Sequence, residues 1–325
     1  MSPSELREIS RPAAADAVKI RLASPRGFCA GVERAVRTVE DALALFGAPV
    51  FVRHEIVHNA HVVRRLKAMG AVFVEDLAEV ETGRPVIFSA HGAPLAAFDD
   101  ARNRKLTPID ATCPLVLKVH NEVRRHLAED RHVALIGHRG HPEVIGTMGQ
   151  APPSAVTLIE TIAEAEAFTP PMGPLAYATQ TTLSIDDAAA IIAVLTRRFP
   201  GIVGPRKADI CYATQNRQEA VKKIAAGADL VLVVGSRESS NSRRLVETAI
   251  LGGAKAAILV EDPAAFDCSI ADGARIIGVT SGASAPEDLV ETLLLRLAER
   301  WPIAIETIEH VRENVVFKQP MLMAG

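Results

Sequence analysis

The chain has 325 residues, 48% of them hydrophobic and 23% charged, with a net charge of −3. These proportions belong to a globular protein of two or three domains, and the slight negative balance excludes bulk attraction to nucleic acid or to an anionic membrane. No apolar run reaches the length of a membrane span, and "MSPSELREISRPAAADA" lacks the apolar core of a secretory signal, so the expected compartment is a reducing cytoplasm.

In chain order, residues 1–16 read as a disordered tail. "AVKIRLAS" then predicts a buried strand, and "GVERAVRTVEDALALFG" an amphipathic helix closed by Gly47. "PVFVRHE" predicts a strand, "NAHVVRRLKAMG" a helix, and "AVFVE" and "RPVIFSA" two more strands. The pattern restarts at "PIDATCPLVLKVHNEVRRHLAED" and again at "ADICYATQNRQEAVKKIAAG". Such alternation predicts an α/β fold with mostly parallel sheets.

Each restart carries a cysteine between a strand and a helix: Cys29, Cys113 and Cys211, separated by 84 and 98 residues. After each, a helix leads to an apolar strand with a polar turn ("HEIVHNAH", "GHRGHPEV", "GSRESSNSRR"). A helix and a short strand follow, then a last strand with a second polar turn ("VIFSAHGAP", "LAYATQTTLS", "IIGVTSGASAP"). From Cys29 to His58 is 29 residues, from Cys113 to His141 is 28, and from Cys211 to Ser240 is 29. The expectation is three similar α/β domains, residues 17–112, 113–210 and 211–300, arranged with pseudo-threefold symmetry, and a C-terminal tail, 301–325, packing on them. Equivalent turns at strand C-termini would then meet in one central cavity.

Four widely spread cysteines do not make a disulfide framework. A single buried cysteine is ordinarily a small core residue, and Cys268, outside the repeat, reads as one. Three at one position of a repeat read as ligands, because helix N-termini favour thiolates. Zinc with a histidine as fourth ligand is one candidate, although the short C-x₂-C pairs usual for structural zinc are absent. A [4Fe–4S] cluster on three thiolates is the other; it leaves one iron open as a Lewis acid.

The polar turns supply His58, His91, His138, His141, Thr181, Thr182, Ser239, Ser240, Asn241, Ser242 and Ser284. Gathered together, such donors bind phosphate oxygens, although "GSRESSNSRR" is not a P-loop. For His54, His61, His120 and Ser242 a structural role weighs equally. Glu143 is an acid among donors: burial would raise its pKa and make it a general acid, whereas as a first-turn carboxylate it would only answer the helix dipole.

Together "RGFCAGVERAV", "EIVHN", "FSAHG", "DATCP", "GHPEVIGTMGQ", "TQTTLS", "DICYATQNRQEAV", "GSRESSNSRRL" and "GASAPEDLV" resemble the 4-hydroxy-3-methylbut-2-enyl diphosphate reductase family, over roughly Val18 to Phe317. The resemblance implies three α/β domains around a central iron–sulfur cluster. It also implies reductive removal of an allylic hydroxyl by two electrons and two protons, giving isopentenyl and dimethylallyl diphosphate as the last step of the methylerythritol phosphate route to isoprenoids. By the same resemblance Cys29, Cys113 and Cys211 hold one [4Fe–4S] cluster whose fourth iron is open and lost on oxidation, leaving a three-iron form. His58, His91, His141, Ser239, Ser240, Asn241 and Ser284 bind the diphosphate. Glu143 supplies protons, with Thr181 in its hydrogen-bond network and at the substrate. A ferredoxin or flavodoxin is the implied electron donor, with no nucleic acid and no membrane as partner. Two positions depart from the family pattern: Arg139 stands where an acid is expected and Ser281 where alanine is expected, neither at a ligand position. A non-redox hydratase with an open-iron cluster, or a DNA-binding iron–sulfur sensor, are the rival readings; the first would turn over without a reductant, and the second would need a basic face.

Overall fold

The computed structural model describes residues 17–322; the expected N-terminal tail, residues 1–16, lies outside them. The chain runs β1 (Val18–Ser24), α1 (Ala30–Phe46), β2 (Val50–Arg53), α2 (Ala60–Ala68), β3 (Ala71–Val74) and β4 (Pro85–Phe88). It continues through α3 (Leu95–Asn103), β5 (Thr107–Asp110), α4 (Pro114–Ala128), β6 (His132–Ile136), α5 (Pro142–Met148), β7 (Val156–Ile159), α6 (Ile162–Ala167), β8 (Leu175–Thr179) and α7 (Ile185–Arg198). The last part is α8 (Tyr212–Ala225), β9 (Leu230–Val234), α9 (Ser240–Leu251), β10 (Ala257–Val260), β11 (Ile276–Ser281), α10 (Glu287–Arg300) and β12 (Ile303–Glu309). Gly47 closes α1 as its sequence predicts: its φ of 71° is a left-handed value that glycine adopts without strain.

The strands form three parallel sheets of one pattern. Their orders are β3-β2-β4-β5, β7-β6-β8 and β10-β9-β11-β1-β12. In each, the first strand of a repeat is flanked by the second and the third. The chain divides into two compact units. Among the described residues, one comprises 17–29, 58–60 and 212–315 and contains the five-stranded sheet; the other comprises 30–57, 61–211 and 316–322 and contains the other two.

Period-two alternation explains why the strands read as continuous apolar runs. Leu230, Leu232 and Val234 of β9 pack with Val290, Leu293 and Leu297 of α10 on one face, while Val231 and Val233 pack with Val221 and Ile224 of α8 and Leu245 of α9 on the other. Strand β6 does the same in the other unit. Val133 and Leu135 meet Val119 and Val123 of α4, and Ala134 and Ile136 meet Ile191 and Leu195 of α7. A parallel sheet covered by helices on both faces buries both sets.

The ends of the chain differ from expectation. Strand β1 opens the expected first domain, yet it lies between β11 and β12, pairing Lys19 with Ile276 and Val18 with Ile303. The expected C-terminal tail contains β12, a strand of that same sheet. The rule behind this is visible at β5, which leads into Cys113 and pairs with β4, the last strand of the repeat before it. Strand β1 leads into Cys29, and the repeat that precedes it in cyclic order is the third. Sequence adjacency cannot reveal this, because parallel pairing is set by which sheet has an edge to offer.

Candidate active site

Each repeat cysteine sits at a helix start: Cys29 just before α1, Cys113 as the N-cap residue of α4, and Cys211 just before α8. Each backbone N–H donates to a carbonyl two residues past the end of a repeat's last strand. Cys29 donates to Ala283 (3.2 Å), Cys113 to Ala90 (3.0 Å) and Cys211 to Thr181 (3.0 Å). All three cysteines are half-buried, and none of the four is in a disulfide. Cys268 is different. It lies in the core beneath α10, its thiol donates to the Arg296 carbonyl (3.4 Å), and burial pushes the thiol up.

The second polar turn of the first repeat is braced from below. Gly92 has φ of 79°, and a Cβ there would lie 2.6 Å from a ring carbon of His120, so only glycine fits. A Cβ on Gly146 of α5 would lie 3.0 Å from the Gly92 backbone, so α5 packs directly on this turn. The His91 and His141 rings meet edge to face, 5.9 Å between centroids.

His141 is the N-cap of α5, and its Nδ1 accepts the Glu143 N–H (3.1 Å). A neutral ring whose Nδ1 accepts carries its proton on Nε2, so that atom is a donor. Glu143 is buried, with the Thr181 N–H on Oε1 (2.6 Å) and the Thr181 hydroxyl on Oε2 (2.9 Å). Burial pushes its carboxyl up to about 7, against the pull of those two hydrogen bonds, and the charge of Asp209 adds to the rise. The group therefore holds or releases a proton near neutral pH, the range a general acid needs.

In the other unit the same position of the repeat is built from small polar side chains. Ser239 caps α9, its hydroxyl accepting the Ser242 N–H (3.2 Å). Ser239, Ser240, Asn241 and Ser242 are all buried. Both polar atoms of the Asn241 amide lack a hydrogen-bond partner among the described residues. Burying an amide without partners costs free energy, so Asn241 has the surroundings of a ligand-binding group. Ser284 Oγ donates to the His58 carbonyl (3.0 Å), tying the turn after β11 to the one before α2.

A model of the LytB protein family matches residues 20–298. The chain belongs to the LytB family. A relative from Hyphomonas neptunium, 4-hydroxy-3-methylbut-2-enyl diphosphate reductase, is 56% identical over 94% of this chain and 98% of its own. The protein of the same name from Phenylobacterium zucineum is 55% identical with the same coverage. The solved structure of E-1-hydroxy-2-methyl-but-2-enyl-4-diphosphate reductase from Plasmodium falciparum superposes with a TM-score of 0.90, at 40% identity over 94% of this chain and 96% of that one. A second, (E)-4-hydroxy-3-methyl-but-2-enyl diphosphate reductase, the terminal enzyme of the non-mevalonate pathway, gives a TM-score of 0.62 at 31% identity, covering 87% and 99%.

Within this LytB chain the remaining polar residues sort by contact. His54 pairs with exposed Glu75 (2.7 Å), and His61 lies in the first turn of α2. His120 is buried and packed under Gly92, and burial, helped by the charge of Arg124, lowers it to about 4, so it is a neutral core histidine. Ser242 fills the space beside Gly235 and Gly282, seating α9 on the ends of β9 and β11. The turn holding His138 is tied to the turn holding Thr182 by Gln180, which accepts the His138 N–H (3.0 Å) and donates to the Thr182 hydroxyl (2.8 Å). Arg139 pairs with Glu160 at the surface (2.9 Å). Ser281 Oγ accepts the N–H of Gly27 (2.8 Å), two residues before Cys29, so this departure from the family pattern has a local role. Gln180 and Asp209 lie in the strings "TQTTLS" and "DICYATQNRQEAV" but are not among the predicted site residues. Asp209 is fully buried, accepts the Thr179 N–H (3.0 Å) and Lys118 (3.1 Å), and is pushed up by burial. Its sequence signal is an acid two residues ahead of a repeat cysteine.

Proposed function

We propose that this LytB chain converts 4-hydroxy-3-methylbut-2-enyl diphosphate to isopentenyl and dimethylallyl diphosphate, replacing the allylic hydroxyl by hydrogen with two electrons and two protons and releasing water. The near full-length likeness to reductases of that name supports the substrate. The structural observation that carries the chemistry is buried Glu143, clasped twice by Thr181 and poised near neutral pH.

The donor set fits an iron–sulfur cluster. Three half-buried thiols, none in a disulfide, stand at helix N-termini that favour anions. Among the described residues no three His, Cys, Asp or Glu side chains gather around a single ion. Cys29, Cys113 and Cys211 would hold a [4Fe–4S] cluster, which would supply electrons one at a time and an open iron acting as a Lewis acid.

The protein's own groups do the rest. Glu143 gives up its proton to the departing hydroxyl, and the Thr181 hydroxyl on Oε2 orders that transfer. Nε2–H of His141 and the rings of His58 and His91 answer the negative charge of the diphosphate, together with Ser239, Ser240, the Asn241 amide and Ser284. A small ferredoxin or flavodoxin delivers the electrons. No helix among the described residues is long and apolar enough to cross a membrane.

The test is anaerobic reconstitution with iron and sulfide, followed by Mössbauer spectroscopy and product analysis with and without a chemical reductant. Four irons, one spectroscopically distinct, and reductant-dependent formation of both isoprenoid diphosphates are expected. Product formed equally well without reductant, or reconstitution that yields no cluster, overturns the reading.

A further inference from the structure

A basic residue follows each repeat cysteine by five or six positions. Arg34 stands in α1, Lys118 in α4 and Arg217 in α8. Each reaches the backbone just ahead of a different cysteine. Arg34 Nη1 donates to the carbonyl of Thr112, the residue before Cys113 (3.1 Å). Lys118 Nζ donates to the carbonyls of Lys207 (2.5 Å) and Ala208 (2.7 Å) and to the Asp209 carboxylate (3.1 Å), within the four residues ahead of Cys211. Arg217 holds the Gly27 carbonyl with Nε (3.2 Å) and Nη2 (2.8 Å), and Nη2 also reaches Phe28 (3.4 Å), the residue before Cys29. Each contact lies inside one of the two compact units. In connectivity the succession returns to its start: the helix after Cys29 serves Cys113, the helix after Cys113 serves Cys211, and the helix after Cys211 serves Cys29.

Two of the three are expensive places for charge, while Lys118 is only partly buried. Arg34 is 8% exposed and Arg217 not at all, and a buried cation is tolerated only when paired and hydrogen-bonded. Arg217 is paired with Glu313 (3.1 Å), and Arg34 also donates to the Lys318 carbonyl (2.8 Å). A chance solvated helix face would not aim three cations, at nearly one offset, at three equivalent carbonyl segments.

We propose that Arg34, Lys118 and Arg217 are positioning residues, each fixing the backbone entry to the next cysteine so that the three thiolates are presented at the spacing a cluster requires. The inference rests on the cluster reading above for its purpose, though not for its geometry. Arg34 also interacts electrostatically with Cys113.

The experiment uses the full-length chain, reconstituted anaerobically, as wild type and as Lys118→Met, Lys118→Arg and Arg34→Met. Amide hydrogen exchange reads local order. Iron release to a chelator and the reduction potential read the cluster. In Lys118→Met the Cys211 amide should exchange about 10-fold faster or more, the scale of a lost charge-assisted hydrogen bond, while the Cys29 and Cys113 amides stay as in wild type. In Arg34→Met the Cys113 amide should respond instead. Lys118→Met should release iron at least several-fold faster and move the potential to a more negative value. Lys118→Arg should restore both. Exchange at all three cysteine amides that is unchanged, or changed equally, in a folded Lys118→Met overturns the proposal. So does wild-type iron release together with local exchange. If wild-type protein takes up no cluster, the cluster reading fails, and the exchange pattern still decides whether the clasps exist.

Discussion

Two helix starts occupy the same place in the repeat and are built oppositely. At α5 the polar groups are already committed: His141 accepts the Glu143 N–H, and Thr181 fills both carboxyl oxygens of Glu143. At α9 the backbone is capped by Ser239, but the buried Asn241 amide has no partner among the described residues. The first arrangement holds a proton at a fixed spot. The second is costly as it stands, and the cost falls when a ligand oxygen accepts from the Asn241 Nδ2–H. Glu143 is therefore suited to chemistry and Asn241 to binding, and mutations should separate the two.

The largest effect is expected at the three repeat cysteines. Cys29, Cys113 or Cys211 replaced singly by serine should lose cluster absorbance and nearly all turnover, and Cys268→Ser should keep both. A cluster that survives loss of one repeat cysteine but not of Cys268 breaks the comparison at its base.

Glu143→Gln comes next. Glutamine can keep both contacts to Thr181 but delivers no proton. Turnover should fall roughly 10²-fold or more, the usual scale for a lost acid–base group, with KM little changed. If KM rises as far as kcat falls, the α5 turn is a binding turn after all.

Asn241→Ala should do the converse. A hydrogen bond to a charged group is worth about 1.5–3 kcal/mol, so diphosphate affinity should drop about 10-fold or more. Melting of the ligand-free protein should not move down, because the substitution removes an unpaired buried amide. A clear loss of Tm would show that the amide already has its partners in the free protein.

The smallest effect is a pH signature of the committed turn. Glu143 ionises near 4.5 in the unfolded chain and near 7 when folded. The folded state thus keeps a proton that the unfolded state releases, so wild type loses stability as pH rises across that window. The Tm of Glu143→Gln should exceed that of wild type by a margin that is small at pH 5, grows to about pH 7 and is constant above. A margin independent of pH would place the carboxyl outside the buried environment.

What could be read in advance follows from how local each cause is. The cysteine spacing, the strand–helix order and the polar turns are written in short strings, and the three sheets repeat one strand order accordingly. The place of β1 was not legible, because its partners are Ile276–Val279 and Ile303–Glu309, far along the chain. For His120 the sequence leaves a structural and a functional role equally weighted; the contact with Gly92 shows it to be a core residue. Arg34, Lys118 and Arg217 looked like the charged faces of amphipathic helices, since nothing in a helix's own pattern tells a solvated cation from one reaching across to another segment. Ser281 was visible as an oddity but not as the acceptor of the Gly27 N–H.

The position of β1 bears on how the protein is made. During synthesis Val18–Ser24 leaves the ribosome early, but the strands that flank it, Ile276–Ser281 and Ile303–Glu309, leave almost last. Until then β1 has no neighbours to hydrogen-bond, and Cys29, whose amide needs Ala283, has no anchor. Contacts of such long sequence separation form late. A nascent chain stalled before residue 276 lacks both partners of β1 and the carbonyl that anchors the Cys29 amide, so its first repeat cysteine is held only once residues 276–309 have emerged.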